Sequence, residues 1–551
     1  MHTQLLKTKK RRTTGWVVME ALRSYGVDTV FGIPGTHNLE FYRPLEALGI
    51  RVVTTRHEQG AGYAADGWSL QTGLPGVVLT TSGPGLLNAL SAAGTAFCES
   101  RPMIILAPGP ARGEEFADVG TLHETKDQLA AASAIVEWGR RVSTAAEAVT
   151  AVHNAFALFT SSRPRPVYIE IPLDLLDEVT DLDEHFVTAR AATPVPLPPE
   201  QSIAEAAKLL HAASRPVILA GGGARGAADQ IRQLAERLAA PVVTSLNGKG
   251  VLDEHHALSL GSNLRLSSVR EHARNADVLL VIGAKLGDAE LWVDRLDAQG
   301  TVIRIDIIDT QIDKNQPADL GLVGDAEAIV TAVAGLIGEL AAPEEVSIAD
   351  SEATVVELLA AARRECAELS PGNTAVSADI ASALPAEAII ATDSSQIAYG
   401  GLLNVIKVSR ANSTPYMGTF ATLGYGLPAA LGARIGAPHR PSFVVIGDGA
   451  LMFSVQELIT VVEQEEDVTV IVLDNGGYGE IRANEADVGI ASIGVDLAQP
   501  DWPGLAKAFG GDGRHVNSTV ELAEAVDTAL TAGGLQLIHL DLAEFASEEN
   551  K

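Results

Sequence analysis

In "VVIGDGALMF" an acid, Asp448, stands between Gly447 and Gly449, and one strand-helix-strand unit later "VIVLDNGGYGEIR" supplies Asn475. That separation puts the two residues at neighbouring strand ends. Their oxygens, with a main-chain carbonyl from the Gly476-Gly477 turn, suit an octahedral Mg²⁺, a hard cation that takes oxygen ligands. One protein carboxylate leaves such an ion short of negative charge, and a diphosphate supplies it. The two glycines let the backbone come close to that group. The plain alternative is an acidic turn without a ligand.

Three further groups could do chemistry. Glu58, in "TTRHEQGAGYAADGW", falls at a helix start, where an isolated acid is ordinarily a surface carboxylate. His37 in "FGIPGTHNLEFYRPL" and His123 in "GTLHETKDQ" can carry protons near neutral pH, though either could equally be structural. Gly221, Gly223 and Gly226 in "AGGGARG" satisfy GxGxxG between a strand and a helix. The next strand, "APVVTS", runs into Ser245-Leu246-Asn247, without an acid for an adenine ribose. That argues against NAD and leaves open a packing role or an FAD or ADP site.

These residues need parallel sheets to place them. From Trp16 onward, short apolar runs alternate with helix-period stretches, and Gly and Pro cluster where the runs stop. Such a pattern predicts α/β domains whose strands are covered on both faces, with loops at the carboxyl edges. The 551 residues exceed what one core serves, and 46% hydrophobic with 20% charged residues fits a folded enzyme. The Pro-rich "ATPVPLPPEQS" reads as a linker. The expected division is a disordered basic tail over 1–13, a first domain over 14–180, a linker over 181–202, a central domain over 203–345 and a third domain over 346–551.

A net charge of −30 argues against a nucleic-acid partner, which would need clustered Lys and Arg. It fits solubility or the focusing of a cationic substrate. Two cysteines, Cys98 and Cys366, lack metal spacing and give no disulfide framework. With no apolar run long enough to span a bilayer and no signal core behind "KTKKRR", the expected location is the cytoplasm.

GDG followed at this spacing by Asn resembles the thiamine-diphosphate motif, here with Asp474-Asn475 in place of the usual Asn-Asn. "TTRHEQGAGYAADGW" resembles the segment of the acetolactate synthase/2-oxo acid decarboxylase superfamily that carries its activating glutamate. "GTFATLGYGLPAALGA" resembles the segment that bends the cofactor. The resemblance implies pyrimidine-binding, central and diphosphate-binding domains. It implies Mg²⁺ on Asp448, Asn475 and the Gly477 carbonyl, with Gly447, Gly449, Ala450 and Tyr478 also at the cofactor. Glu58 would act on the pyrimidine N1′, the Ala421 carbonyl would accept from the 4′-amino group, and Leu423 would wedge the rings into a V. FAD, if bound, would not be catalytic. Sites would form in a homodimer or homotetramer, with Glu58 of one subunit facing Asp448 of another.

The reaction implied is attack on a 2-oxo acid and loss of CO₂. His37 and His123 are then the candidate proton donors for aldehyde release. His123-Glu124 stands where acetolactate synthases usually have Gln-Glu, which counts against that carboligase, the alternative reading. "LHETKDQ" and "TDSSQIAYGG" look most like the decarboxylases of 5-guanidino-2-oxopentanoate, deaminated arginine. A guanidinium tail needs a carboxylate. Glu480 is the first candidate, although it could simply sit favourably at a helix start. Asp393 and Glu124 follow, with Thr36 and Gln396 as further pocket residues. A family member without activity is the remaining alternative, which Glu58, Asp448 and Asn475 oppose.

Overall fold

The computed structural model describes residues 12–339 and 347–545. Contact density divides the chain between Thr193 and Pro194. The first unit holds one sheet of six strands: β1 (Thr29–Gly32), β2 (Arg51–Val53), β3 (Gly76–Leu79), β4 (Met103–Gly109), β5 (Trp138–Arg141) and β6 (Val167–Pro172). Their order is β2-β1-β3-β4-β6-β5, and every pair is parallel. β1, β3, β4 and β6 are buried along their whole length, as strands covered on both faces must be. Helices Thr14–Ser24 and Ala145–Ser161 pack one face through Val17, Val18, Leu22, Val149 and Val152.

The second unit holds two parallel sheets. One comprises β7 (Pro216–Ala220), β8 (Val242–Thr244), β9 (Ser259–Gly261), β10 (Val278–Ile282), β11 (Thr301–Asp306) and β12 (Leu320–Val323), in the order β12-β11-β10-β7-β8-β9. The other comprises β13 (Ile389–Thr392), β14 (Ser442–Gly447), β15 (Val468–Asp474), β16 (Asp512–His515) and β17 (Leu535–Asp541), in the order β13-β14-β15-β17-β16. The covering helices follow from their periodicity. In Ala228–Leu238, Ile231, Leu234, Ala235 and Leu238 share the buried stripe. The expected three-domain α/β architecture is therefore present.

Three details differ from the sequence expectation. Residues 1–11 of the basic tail lie outside the described residues, but Arg12 and Thr13 are built into the fold. Arg12 pairs with Glu20 at 2.7 Å, and the Thr13 hydroxyl caps the first helix by accepting from the Trp16 N–H. The linker carries a helical turn, Glu184–Val187, and gives way to helix Glu200–His211 before residue 202. The helix Ile348–Leu369, placed by sequence in the third domain, buries Val355 and Ala362 in the cluster of the central sheet. Charge along "IADSEA" hid that apolar face.

The GxGxxG loop follows β7 as a short 3₁₀ turn. A Cβ at Gly221 would meet the Gly283 oxygen at 2.2 Å, and one at Gly223 would meet the Gly283 Cα at 2.9 Å. Backbone-to-backbone packing accounts for these two glycines without a nucleotide.

Candidate active site

In the first unit the chemical residues gather at the carboxyl ends of β1 to β4, where parallel sheets present their loops. Glu58 opens helix Glu58–Thr72 after β2 and is only 8% exposed. Its Oε2 accepts from Asn88 Nδ2 at 3.0 Å. Burial first, and the Glu58 charge second, push the Tyr42 phenol well above its ordinary pKa, and the Tyr42 hydroxyl has no partner among the described residues. Asn88 and Tyr42 escaped the sequence reading. A polar Asn within the apolar helix Pro84–Glu99 was the available signal for the first.

His37 and His123 come together from separate loops. Their rings meet edge-to-face with centroids 5.1 Å apart. His37 Nδ1 lies 2.6 Å from Ser82 Oγ, and His123 Nδ1 lies 3.3 Å from Thr81 Oγ1. Burial, then the neighbouring His123, lower the His37 pKa. The approach depends on Gly83, at φ +59°, where a Cβ would sit 2.4 Å from the His123 carbonyl oxygen. Gln128, also unforeseen, locks the same region. It accepts from the Gly83 N–H at 2.9 Å and donates to the Pro108 carbonyl at 2.8 Å and to Glu170 at 2.9 Å. The two histidines and Ser82 line a cavity of 290 Å³ beneath the loop carrying Phe116, Val119 and Leu122.

Glu124 lines this cavity too, but its carboxylate is committed to its own loop. It accepts from the N–H groups of Val119 at 3.1 Å and Gly120 at 2.6 Å, which hold its pKa below the ordinary value. Thr36 is exposed beside His37.

In the second unit β14 and β15 are central neighbours, with Gly447 opposite Leu473. Asp448 and Asn475 thus emerge side by side, as their spacing required. Asp448 is 1% exposed; burial raises its pKa against the opposing Gly449 N–H, and the Asp474 charge adds to the rise. Gln499, absent from the sequence reading, donates to Asp448 Oδ2 at 2.6 Å. Asn475 Oδ1 is buried with no partner among the described residues. An unpaired buried oxygen is costly, and a cation is the partner that a carboxylate, an amide oxygen and a carbonyl together would suit. Gly477 sits at φ +141°, and a Cβ there would meet the Val495 oxygen at 2.0 Å. A Cβ at Gly449 would meet the Tyr478 ring at 2.9 Å, and Ala450 continues the short helix Asp448–Leu451.

Asp474, where the motif usually has Asn, has both oxygens engaged. Oδ1 accepts from the Gly476 N–H at 2.9 Å, and Oδ2 lies 3.2 Å from His539 Nε2. The substitution therefore leaves the Asn475 oxygen untouched. Among the described residues no three His, Cys, Asp or Glu side chains form a metal site of their own.

Of the expected substrate residues here, Asp393 is placed differently. It is fully buried, and it accepts from the N–H groups of Gly424 at 3.2 Å, Gly426 at 2.8 Å and Ser394 at 2.9 Å. Burial lifts its pKa to about 6. Its work is to hold the loop of Ala421 and Leu423, and a side chain spent on three backbone donors is not available to a substrate tail. Ala421 takes φ +53°, a left-handed conformation uncommon outside glycine. Gln396 and Glu480 do come together: Gln396 Nε2 donates to Glu480 Oε2 at 3.1 Å, while its Oε1 accepts from Asn475 Nδ2 at 3.4 Å.

Three parallel-sheet domains, a buried carboxylate behind a helix start and a GDG strand end define a class, and the chain belongs to the thiamine pyrophosphate enzymes. Residues 12–131 match the N-terminal TPP binding domain of that family, 203–333 its central domain and 400–540 its C-terminal TPP binding domain. Among particular relatives, the probable 2-ketoarginine decarboxylase AruI of Pseudomonas aeruginosa is 38% identical over 97% of this chain and 95% of its own. A probable acetolactate synthase large subunit of Methanocaldococcus jannaschii is 30% identical, covering 95% of this chain and 90% of its own. The acetolactate synthase isozyme 3 large subunit of Escherichia coli is also 30% identical, covering 97% and 95%. Thiamine diphosphate is accordingly the cofactor. Among the described residues no helix is long and apolar enough to cross a membrane.

Proposed function

We propose that this enzyme, with Mg²⁺, decarboxylates 5-guanidino-2-oxopentanoate, or 2-ketoarginine, non-oxidatively to 4-guanidinobutanal and CO₂, a step in the breakdown of arginine. The observation that carries the reading is the Glu480 carboxylate, joined through Gln396 to Asn475 and so held beside the metal end of the site. A guanidinium paired with it gains a charge-assisted bond. The name of the Pseudomonas relative supports the same substrate.

Asp448, Asn475 and the Gly477 carbonyl would hold Mg²⁺, and through it the diphosphate. The bound cofactor supplies a carbon nucleophile and an electron sink for the carboxylate's electrons. Glu58, oriented by Asn88, would hold a proton at the pyrimidine N1′, with the Ala421 carbonyl and Leu423 setting the ring geometry. His37 and His123 would deliver the proton that completes the aldehyde, and the Phe116 loop would keep bulk water from it. No FAD chemistry is required. Pairing of Glu58 with Asp448 of another copy, in a homodimer or homotetramer, completes the reading.

The test is CO₂ release, with product identification, from 5-guanidino-2-oxopentanoate, pyruvate, and branched and aromatic 2-oxo acids. The guanidino acid is expected to give the highest kcat/KM. Glu480→Gln should lower that value by about 10- to 100-fold, the equivalent of roughly 1.4–3 kcal/mol, and should leave pyruvate unaffected. Acetolactate accumulating from pyruvate would instead assign the carboligase reaction.

A further inference from the structure

A second cavity, of 210 Å³, opens in the second unit beside Glu480. Its size suits a small molecule, since pockets for drug-sized ligands begin at roughly 300 Å³. Glu480, Gln396 and Tyr399 line it together with Arg265 and Trp292. Arg265 is 6% exposed and stacks on the Trp292 ring, 4.4 Å from its centroid. One of its nitrogens, Nη2, donates to Asn404 Oδ1, while Nε is buried without a partner among the described residues. No carboxylate of the described residues pairs with it. Burial lowers its pKa to about 10, so it remains charged at neutral pH.

A buried cation is costly unless paired. Lys249, in the same unit, meets that demand with Glu254 at 2.7 Å. Arg265 instead lines a cavity that the Glu480 carboxylate also lines. Trp292, 48% exposed and left-handed at φ +56°, lines the same cavity. The reacting carboxylate is the wrong partner for Arg265, because it leaves as neutral CO₂. Pairing it with a guanidinium would stabilise the ground state over the transition state.

We propose that this cavity binds a short zwitterion, its carboxylate on Arg265 and its cationic group on Glu480, as a ligand distinct from the 2-oxo acid under reaction. The proposal rests on the substrate reading only in that both ligands use Glu480. The zwitterion therefore competes with a guanidino substrate, raising its KM without lowering kcat.

The test is calorimetric titration of the holoenzyme with 4-guanidinobutanoate, agmatine, which lacks the carboxylate, and pentanoate, which lacks the cation. The zwitterion is expected to bind at least tenfold more tightly than either. Arg265→Gln should erase its advantage over agmatine, and Glu480→Gln its advantage over pentanoate. Since Arg265 is buried, melting curves accompany its variant; the exposed Glu480 gives a second arm independent of it. Equal affinity for all three compounds, or an unchanged zwitterion affinity in either folded variant, overturns the proposal. Failure of the substrate reading shows separately: no CO₂ is released from the guanidino acid, while the binding pattern stands.

Discussion

The charge of His37 is limited by its buried place and by the His123 ring against it. A protonated His123 makes protonation of His37 harder, and burial acts in the same direction. If His37 delivers the final proton, its protonated fraction falls as pH rises through a pKa below the ordinary 6.5. The kcat of the wild-type enzyme should then fall along that limb. Replacing His123 with Asn removes the repulsion and should move the limb to higher pH; a pH profile of kcat for the two proteins checks this. An unmoved limb would take His37 out of the proton path. Sequence named both histidines, yet their meeting depends on Gly83 and on Gln128, whose partners lie on β4, β6 and the loop after β3. Such long-range bonds leave no periodic trace.

Among the elements, the loop over Ala421 to Gly426 shows an acid at work away from the substrate. Asp393 has a folded pKa raised above its ordinary value of 3.8, to about 6. The folded protein therefore binds this proton more tightly than the unfolded chain, and the contribution to stability falls as pH rises from 3.8 through 6. That rise corresponds to about 3 kcal/mol. Asp393→Asn carries no titrating charge. Its stability relative to wild type should accordingly improve by up to about 3 kcal/mol between pH 4 and pH 7, read from denaturant midpoints at the two pH values. At pH 7, where the wild-type side chain is ionised, the variant should bind thiamine diphosphate less well, because the Gly424 and Gly426 N–H groups lose a full carboxylate acceptor. A pH-independent difference would show that the buried charge is relieved elsewhere. The strands themselves were legible, since their apolar runs and terminal glycines mark parallel sheets directly. The helix Ile348–Leu369 was not, because its buried Val355 and Ala362 are sparse among charged neighbours.

At the scale of the whole molecule, Glu58 lies in one unit of the chain and Asp448 in the other. In a dimer pairing Glu58 of one copy with Asp448 of the other, Glu58→Gln and Asp448→Asn should each lower kcat by about 100-fold or more. Co-assembled in equal amounts, they should recover about a quarter of wild-type activity, because half the dimers are mixed and each mixed dimer has one intact site. No recovery, in mixed dimers verified by mass, would place both residues in one chain. Sequence alone determined the family chemistry. Residue type and the spacing of a single strand-helix-strand unit singled out Asp448 and Asn475, and the resemblance of its segment singled out Glu58. Only the tertiary structure decided where the remaining charges went. It spent Asp393 on backbone donors and Glu124 on its own loop, joined Glu480 to Asn475 through Gln396, and left Arg265 unpaired with any carboxylate of the described residues. The physical reason is that a charge's role follows from its burial and its partners, and partners distant along the chain meet only when the sheets are assembled.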